Sequence, residues 1–146
     1  MGAGGRARRV GWQGLGMGLL INHVTFDAHD PYQIGSFWAA ATGGSLDDDD
    51  HPGDPAALLV VRTNAGGEVR VLFEQVPDDK VVKNRVHLDV WPTDRTRDDE
   101  VEHLVGLGAR VVADCRRPDG TGWVVMADPE GNEFCVERSA AERPDS

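Results

Sequence analysis

Two short stretches of this chain hold a histidine within an alternation of apolar and polar residues, Ile21 to Asp27 (INHVTFD) and Lys83 to Trp91 (KNRVHLDVW). A period of two is what a strand with one buried face requires. His23 therefore shares a strand face with Thr25 and Asp27, and His87 shares one with Arg85, Asp89 and Trp91. Two later strands add acids and a thiol: RVLFEQV puts Arg70, Leu72 and Glu74 on one side, and NEFCVER puts Glu133, Cys135 and Glu137 there. Two imidazoles, a carboxylate and a thiolate are donors of the kind that hold zinc or another divalent transition metal. With His23 and His87 on the opening strands and Glu74 and Cys135 on the closing ones, a single ion would sit on an axis relating two halves of the molecule. The same residues also have a plainer reading, as half-buried strand histidines satisfied by Asp27 and Asp89. Cys135 argues against magnesium or calcium, for which thiolate is a poor ligand, and it reads equally well as a small buried hydrophobe.

The elements that must position these groups repeat. Asp30 lies seven residues after His23 and Asp94 seven after His87, and each precedes a segment with helical periodicity. Each aspartate is thus a candidate N-cap. The first helix is predicted from Pro31 to about Ala41, with Ile34, Phe37, Trp38 and Ala41 as its buried stripe. The second is predicted from about Arg95 to Leu107, with Val101, Leu104 and Val105 inward and His103 at the surface. Strands are predicted at Leu19 to Asp27, Ala56 to Arg62, Val69 to Val76, Arg85 to Trp91, Arg110 to Asp114, Gly122 to Asp128 and Asn132 to Arg138. A further short strand follows Gly44, and DPEGN at Asp128 to Asn132 is a tight turn. Aligning Phe73 with Phe134 sets Glu74 opposite Cys135, 51 and 48 residues after the two histidines. The pattern predicts tandem βαβββ modules over about 19–78 and 83–138, together one domain at 19–138. The fold class is α+β: a curved mixed sheet, helices on its outer face, enclosing a cavity.

Composition narrows the partners. A net charge of −10 is wrong for nucleic acid or an anionic membrane surface, both of which need clustered Lys and Arg. The two cysteines, Cys115 and Cys135, are too few for a disulfide scaffold and read as free thiols in a reducing cytoplasm. Residues 1–18, with Arg6, Arg8, Arg9 and interspersed glycines, read as a flexible extension, with Met17 nearer the natural start. Residues 139–146 read as a flexible tail, and the acidic run Asp47 to Asp50 as a solvated loop tip.

INHVTFDAHDP, KNRVHLDV and DPEGNEFCVE, set in a tandem βαβββ pattern over about Leu20 to Glu137, resemble the vicinal oxygen chelate superfamily and its glyoxalase-like domains. The resemblance implies a small-molecule ligand, a site closed by the two modules of one chain or by a twofold dimer, the dimer being preferred, and one divalent ion (zinc, nickel, cobalt or iron) held from the first, fourth, fifth and eighth strands. It puts His23, Glu74 and His87 at three ligand positions and Cys135 at the fourth, where glyoxalase I has glutamate. It implies a metal-dependent lyase, isomerase or dioxygenase, with Glu133 or Glu137 as the proton-shuttling base. It also admits a sequestering protein of the bleomycin-resistance kind, in which Trp91 and Trp123 stack on a planar ligand, Asp27, Asp89 and Glu137 attract a cationic one, and Thr25, Arg70 and Arg85 also line the cavity.

Overall fold

The computed structural model describes residues 18–144, so the expected extension at 1–18 lies, but for Gly18, outside the described residues. Both βαβββ units form. The first comprises β1 (Val24–Ala28), α1 (Pro31–Thr42), β2 (Ser45–Leu46), β3 (Ala56–Arg62) and β4 (Glu68–Gln75). The second comprises β5 (Asp89–Val90), α2 (Arg97–Leu107), β6 (Arg110–Asp114), β7 (Val124–Ala127) and β8 (Glu133–Val136). Each unit makes a mixed four-stranded sheet, ordered β1-β4-β3-β2 in one and β5-β8-β7-β6 in the other. The opening strand of each unit runs parallel to its closing strand, and the remaining pairs are antiparallel. No helix among the described residues is long and apolar enough to cross a membrane.

Local chemistry explains the helix ends. The Asp30 carboxylate accepts from Gln33 N at 3.0 Å, Pro31 occupies the first turn, and Gly43 closes the helix at φ 70°, where a side chain would be strained. At α2 the cap is Thr96, not Asp94. The Thr96 hydroxyl accepts from Asp99 N at 3.1 Å, and Asp98, Asp99 and Glu100 then fill a first turn whose dipole favours negative charge. Asp94 stays outside the helix, 3.2 Å from Arg95 Nε.

One core joins the two units. Ile34, Phe37 and Trp38 of α1 meet Phe73, Val71 and Leu59 of the first sheet and Phe134, Val136 and Met126 of the second. Trp38 lies edge-on to Phe134 at 4.9 Å and to Phe26 at 6.2 Å. The helices also touch each other. The apolar faces of both sheets thus turn towards the helices and a shared interior, and their polar faces turn away from it.

The DPEGN turn serves as a latch between the units. Asp128 Oδ1 accepts from Glu130 N and Asn132 N, while its Oδ2 accepts the Trp38 indole N–H at 3.0 Å. Burial pushes the Asp128 carboxyl up, against the lowering pull of these bonds. Glu130 Oε1 accepts from His29 N and Asp30 N at 3.0 and 2.9 Å, so one module caps the helix entry of the other.

Several predicted spans shorten at their ends, and three differ most. β5 holds only Asp89–Val90 of the expected Arg85 to Trp91. Its parallel partner β8 starts at Glu133, just after the turn, which leaves no strand for Arg85 and Val86 to pair with. β1 begins at Val24, because Leu19, Leu20 and Ile21 run clear of the sheet at 84% exposure or more. The expected tail is ordered through a 3₁₀ turn, Ala140–Glu142. Glu142 Oε2 accepts from Ser139 N, Ser139 Oγ and Arg97 N, which fastens that turn to the start of α2.

Candidate functional site

The ladders fix how the two modules correspond. Asp27 pairs with Glu74, and Asp89 pairs with Cys135. With Glu74 matched to Cys135, Asp27 matches Asp89 and Thr25 matches His87, so His23 falls two residues early, on the position of Arg85. On that matching the two histidines stand two residues apart along their strands. Counting between ladder partners gives 47 residues from Asp27 to Glu74 and 46 from Asp89 to Cys135, closer than the 51 and 48 counted from the histidines.

On the second module this register gathers a ligand-type group. His87, Asp89 and Cys135 each offer a donor atom, and these atoms lie within 4.8 Å of one another. His87 Nδ1 stands 3.0 Å from Asp89 Oδ1. The 3.0 Å contact sets His87, just ahead of β5, on the side of Asp89, and the parallel ladder brings Cys135 beside Asp89. Burial pushes the Cys135 thiol up, and the Asp89 carboxylate, as both a charge and a hydrogen-bond partner, pushes it further in the same direction. One imidazole nitrogen, one thiol and one carboxylate form a donor set suited to zinc or a similar ion, which would hold the thiol as thiolate. His87 and Asp89 are exposed and Cys135 is half-buried, so a coordination position would remain open to solvent or ligand.

The remaining candidates fall in three places. Thr25, Asp27 and Arg85 line a cleft of about 930 Å³ between β1, the 76–86 linker and the DPEGN turn. Glu137 and Trp123 line a smaller notch of about 180 Å³, and Trp91 lies under the Arg143 guanidinium at 4.6 Å. His23, Arg70 and Glu74 lie on the first module, and none joins a ligand-type group of three among the described residues. His23 accepts or donates one bond, to Asn22 at 3.0 Å, and Glu74 and Arg70 are exposed.

The structure separates the two proposed bases. Glu133 takes the Lys80 ammonium at 2.9 Å and the Asn84 amide at 3.0 Å. Burial alone would raise its carboxyl, but these two donors outweigh burial and bring it to about 2. A carboxylate held so low is a poor proton acceptor near neutral pH. Glu137 has a single, longer ion pair, 3.4 Å to Arg143.

Sequence reasoning grouped Asp89 with ligand contacts, although its place two residues after His87 already put both on one face. It missed Lys80, which holds Glu133 from the linker, and it missed the arginines around the notch, one of them in the stretch read as tail.

The profile of the glyoxalase-like domain family matches residues 23–137. Curated proteins yield no match. Among solved structures, a variant of the fosfomycin resistance protein FosX from Listeria monocytogenes, complexed with Mn(II) and 1S,2S-dihydroxypropylphosphonic acid, is 15% identical with a TM-score of 0.62, over 88% of this chain and 98% of that one. FosX from Mesorhizobium loti is 15% identical with a TM-score of 0.58, over 83% and 92%. A glyoxalase/bleomycin resistance protein/dioxygenase family enzyme from Burkholderia phytofirmans is 15% identical with a TM-score of 0.54, over 80% and 95%. At these identities the likeness is one of fold.

Proposed function

Because the chain belongs to the glyoxalase-like domain family and has the vicinal oxygen chelate fold, we propose that it binds one divalent transition-metal ion at His87, Asp89 and Cys135 and acts there on a small oxygenated molecule. The observation that carries this reading is the closeness of an imidazole, a carboxylate and a thiol, within 4.8 Å, on the polar face of the second sheet. A similarly folded protein whose structure was determined with Mn(II) adds support. When bound, such an ion supplies Lewis-acid polarisation of a substrate oxygen. The chain's own contribution is to orient the ligand and move protons: Glu137, on the same face as Cys135, is the better-placed base, and Glu133 anchors the linker.

A homodimer fits this reading. β1 and β5 are both edge strands, and apolar Leu20, Ile21, Val82 and Val86 stand 77% or more exposed near them. Exposed edges flanked by apolar side chains are surfaces that a second copy would cover. Such a copy would bring the polar face of a first module, with His23 and Glu74, towards His87.

The test is metal content by mass spectrometry on untagged protein, with sedimentation of the same sample. We expect about one ion per chain, a dimer, and loss of the ion in His87→Ala and in Cys135→Ala, each weakening affinity by at least about a hundredfold. Protein that stays metal-free and shows no affinity for zinc, nickel, cobalt or iron(II) would leave the sequestering alternative in possession of the site.

A further inference from the structure

Further along β7 and β8 from the ligand group lies the notch formed by Arg117, Gly122, Trp123, Glu137, Arg138 and Arg143. Val125 pairs with Cys135, and the next rung on that face sets Trp123 beside Glu137, so the notch begins about 7 Å along the strands from Cys135. Three guanidinium groups and one carboxylate surround it, in a protein whose overall charge is −10. Among the lining side chains positive charge outnumbers negative, while the Asp119 carboxylate stands near enough to feel Arg117 and Arg138.

Its walls are built in advance. Arg97 is buried, and its Nη1 donates to the carbonyls of Gly120, Thr121 and Gly122, the last at 2.9 Å. Gly122, at φ 91°, sits so close to the Cys115 carbonyl that a Cβ there would collide with it. These contacts set the loop that carries Arg117. The Asp119 carboxylate on that loop accepts from Thr121 N and Oγ at 2.9 and 2.6 Å. On the opposite wall, Arg143 stacks on Trp91, donates to the Arg138 carbonyl at 3.0 Å and pairs with Glu137. Glu137, the one acidic side chain lining the notch, is therefore already countered, and Trp123, 41% exposed, lines the notch with the arginines.

We infer that the notch selects the substrate's far end: a small planar molecule bearing an oxyanion group, carboxylate or phosphonate, which Arg117 and Arg143 clamp while Trp123 stacks on its plane. This rests on the reading of His87, Asp89 and Cys135 as the reacting centre. Guanidinium forks match such groups in a bidentate way, and aromatic faces hold planar ones. An acidic protein with a local basic notch would pass over cationic ligands at this end of the face.

The experiment is a tryptophan-fluorescence titration of the full chain with phenylphosphonate, benzoate and benzylamine, repeated with zinc present. We expect the two anions to quench and benzylamine not to; the ratio of their affinities tells which oxyanion is preferred. Arg117→Gln should weaken the anions about tenfold, the worth of roughly one charge-assisted hydrogen bond, and Arg117→Lys should recover part of that. Melting curves of both variants should match the parent, since Arg117 is exposed. Equal affinity for benzylamine, or an unchanged anion affinity in Arg117→Gln, overturns the inference. The two readings fail separately: zinc binding without anion quenching removes the notch alone, and anion quenching without zinc affinity removes the metal centre alone.

Discussion

The two sheets share one ladder and differ in what they hang on it. At corresponding positions the first module carries Thr25, Asp27 and Glu74, and the second carries His87, Asp89 and Cys135. Behind each face the packing is alike: Phe73 and Phe134 are both buried, and both serve the common core. Only the second face has an imidazole and a thiol to set beside its aspartate. Duplication has kept the architecture and let the chemistry diverge, so symmetry of fold is poor ground for assuming symmetry of site.

If the packing is as alike as the ladders indicate, the equivalent phenylalanines should matter equally. Phe73→Ala and Phe134→Ala should each cost about 3–5 kcal/mol, the usual loss for a buried phenylalanine, and each should unfold the chain in one transition because the core spans both units. Urea denaturation followed by far-UV circular dichroism reads this. Two separate transitions, or a loss confined to one variant, would break the picture of a single shared core.

The difference in chemistry can be tested by erasing it. Thr25→His combined with Glu74→Cys recreates the second module's donors around Asp27 at the same ladder positions. That double variant should bind about two zinc ions per chain instead of one, the new site weaker by about a hundredfold or less, roughly 2.7 kcal/mol, because the face was not shaped for it. Calorimetric titration counts the ions. A stoichiometry still near one would mean that the ladder correspondence, not merely the side chains, is misread.

Most of the fold was legible because it depends on short-range patterns. Asp30 before Pro31 signals a helix start by chemistry confined to one turn, and DPEGN signals a turn through Asp128's own reach to the amides that follow. The site was legible only in part. His87 and Asp89 share a face by simple alternation, but the partner of Asp89 depends on a register set by β8's starting point. That point is fixed in turn by how the turn latches on Trp38, some 90 residues away in sequence. Alignment on the two histidines and alignment on Glu74 and Cys135 differ by two residues, a shift that residue type alone does not reveal. Arg143 was unreadable for a related reason: a polar C-terminal stretch gives no sign that Glu142 will bind the α2 amide and carry its neighbour over Trp91.

The smallest effect concerns the joint between the modules, where Glu133 works as a strut. Its carboxylate holds Lys80 and Asn84 of the linker, and Lys80 Nζ also donates to Val82 O, so the charge organises the segment that carries the chain into β5. Because the folded carboxyl is held at about 2, below its ordinary 4.5, the folded state binds its proton less readily than the unfolded one. The stability it contributes is therefore complete above about pH 4.5 and is lost as pH falls from there towards 2. Glu133→Gln should cost about 1 kcal/mol at pH 7, the worth of one partly exposed charge-assisted contact, and the gap from the parent should close in denaturation curves as acid is added. The first module has no such strut at the equivalent position, since β8's Glu133 aligns with Leu72 of β4. Leu72→Gln should consequently show no pH-dependent difference over that window. If Glu133→Gln is instead as pH-independent as Leu72→Gln, the carboxylate does not brace the linker and its low position has no structural use.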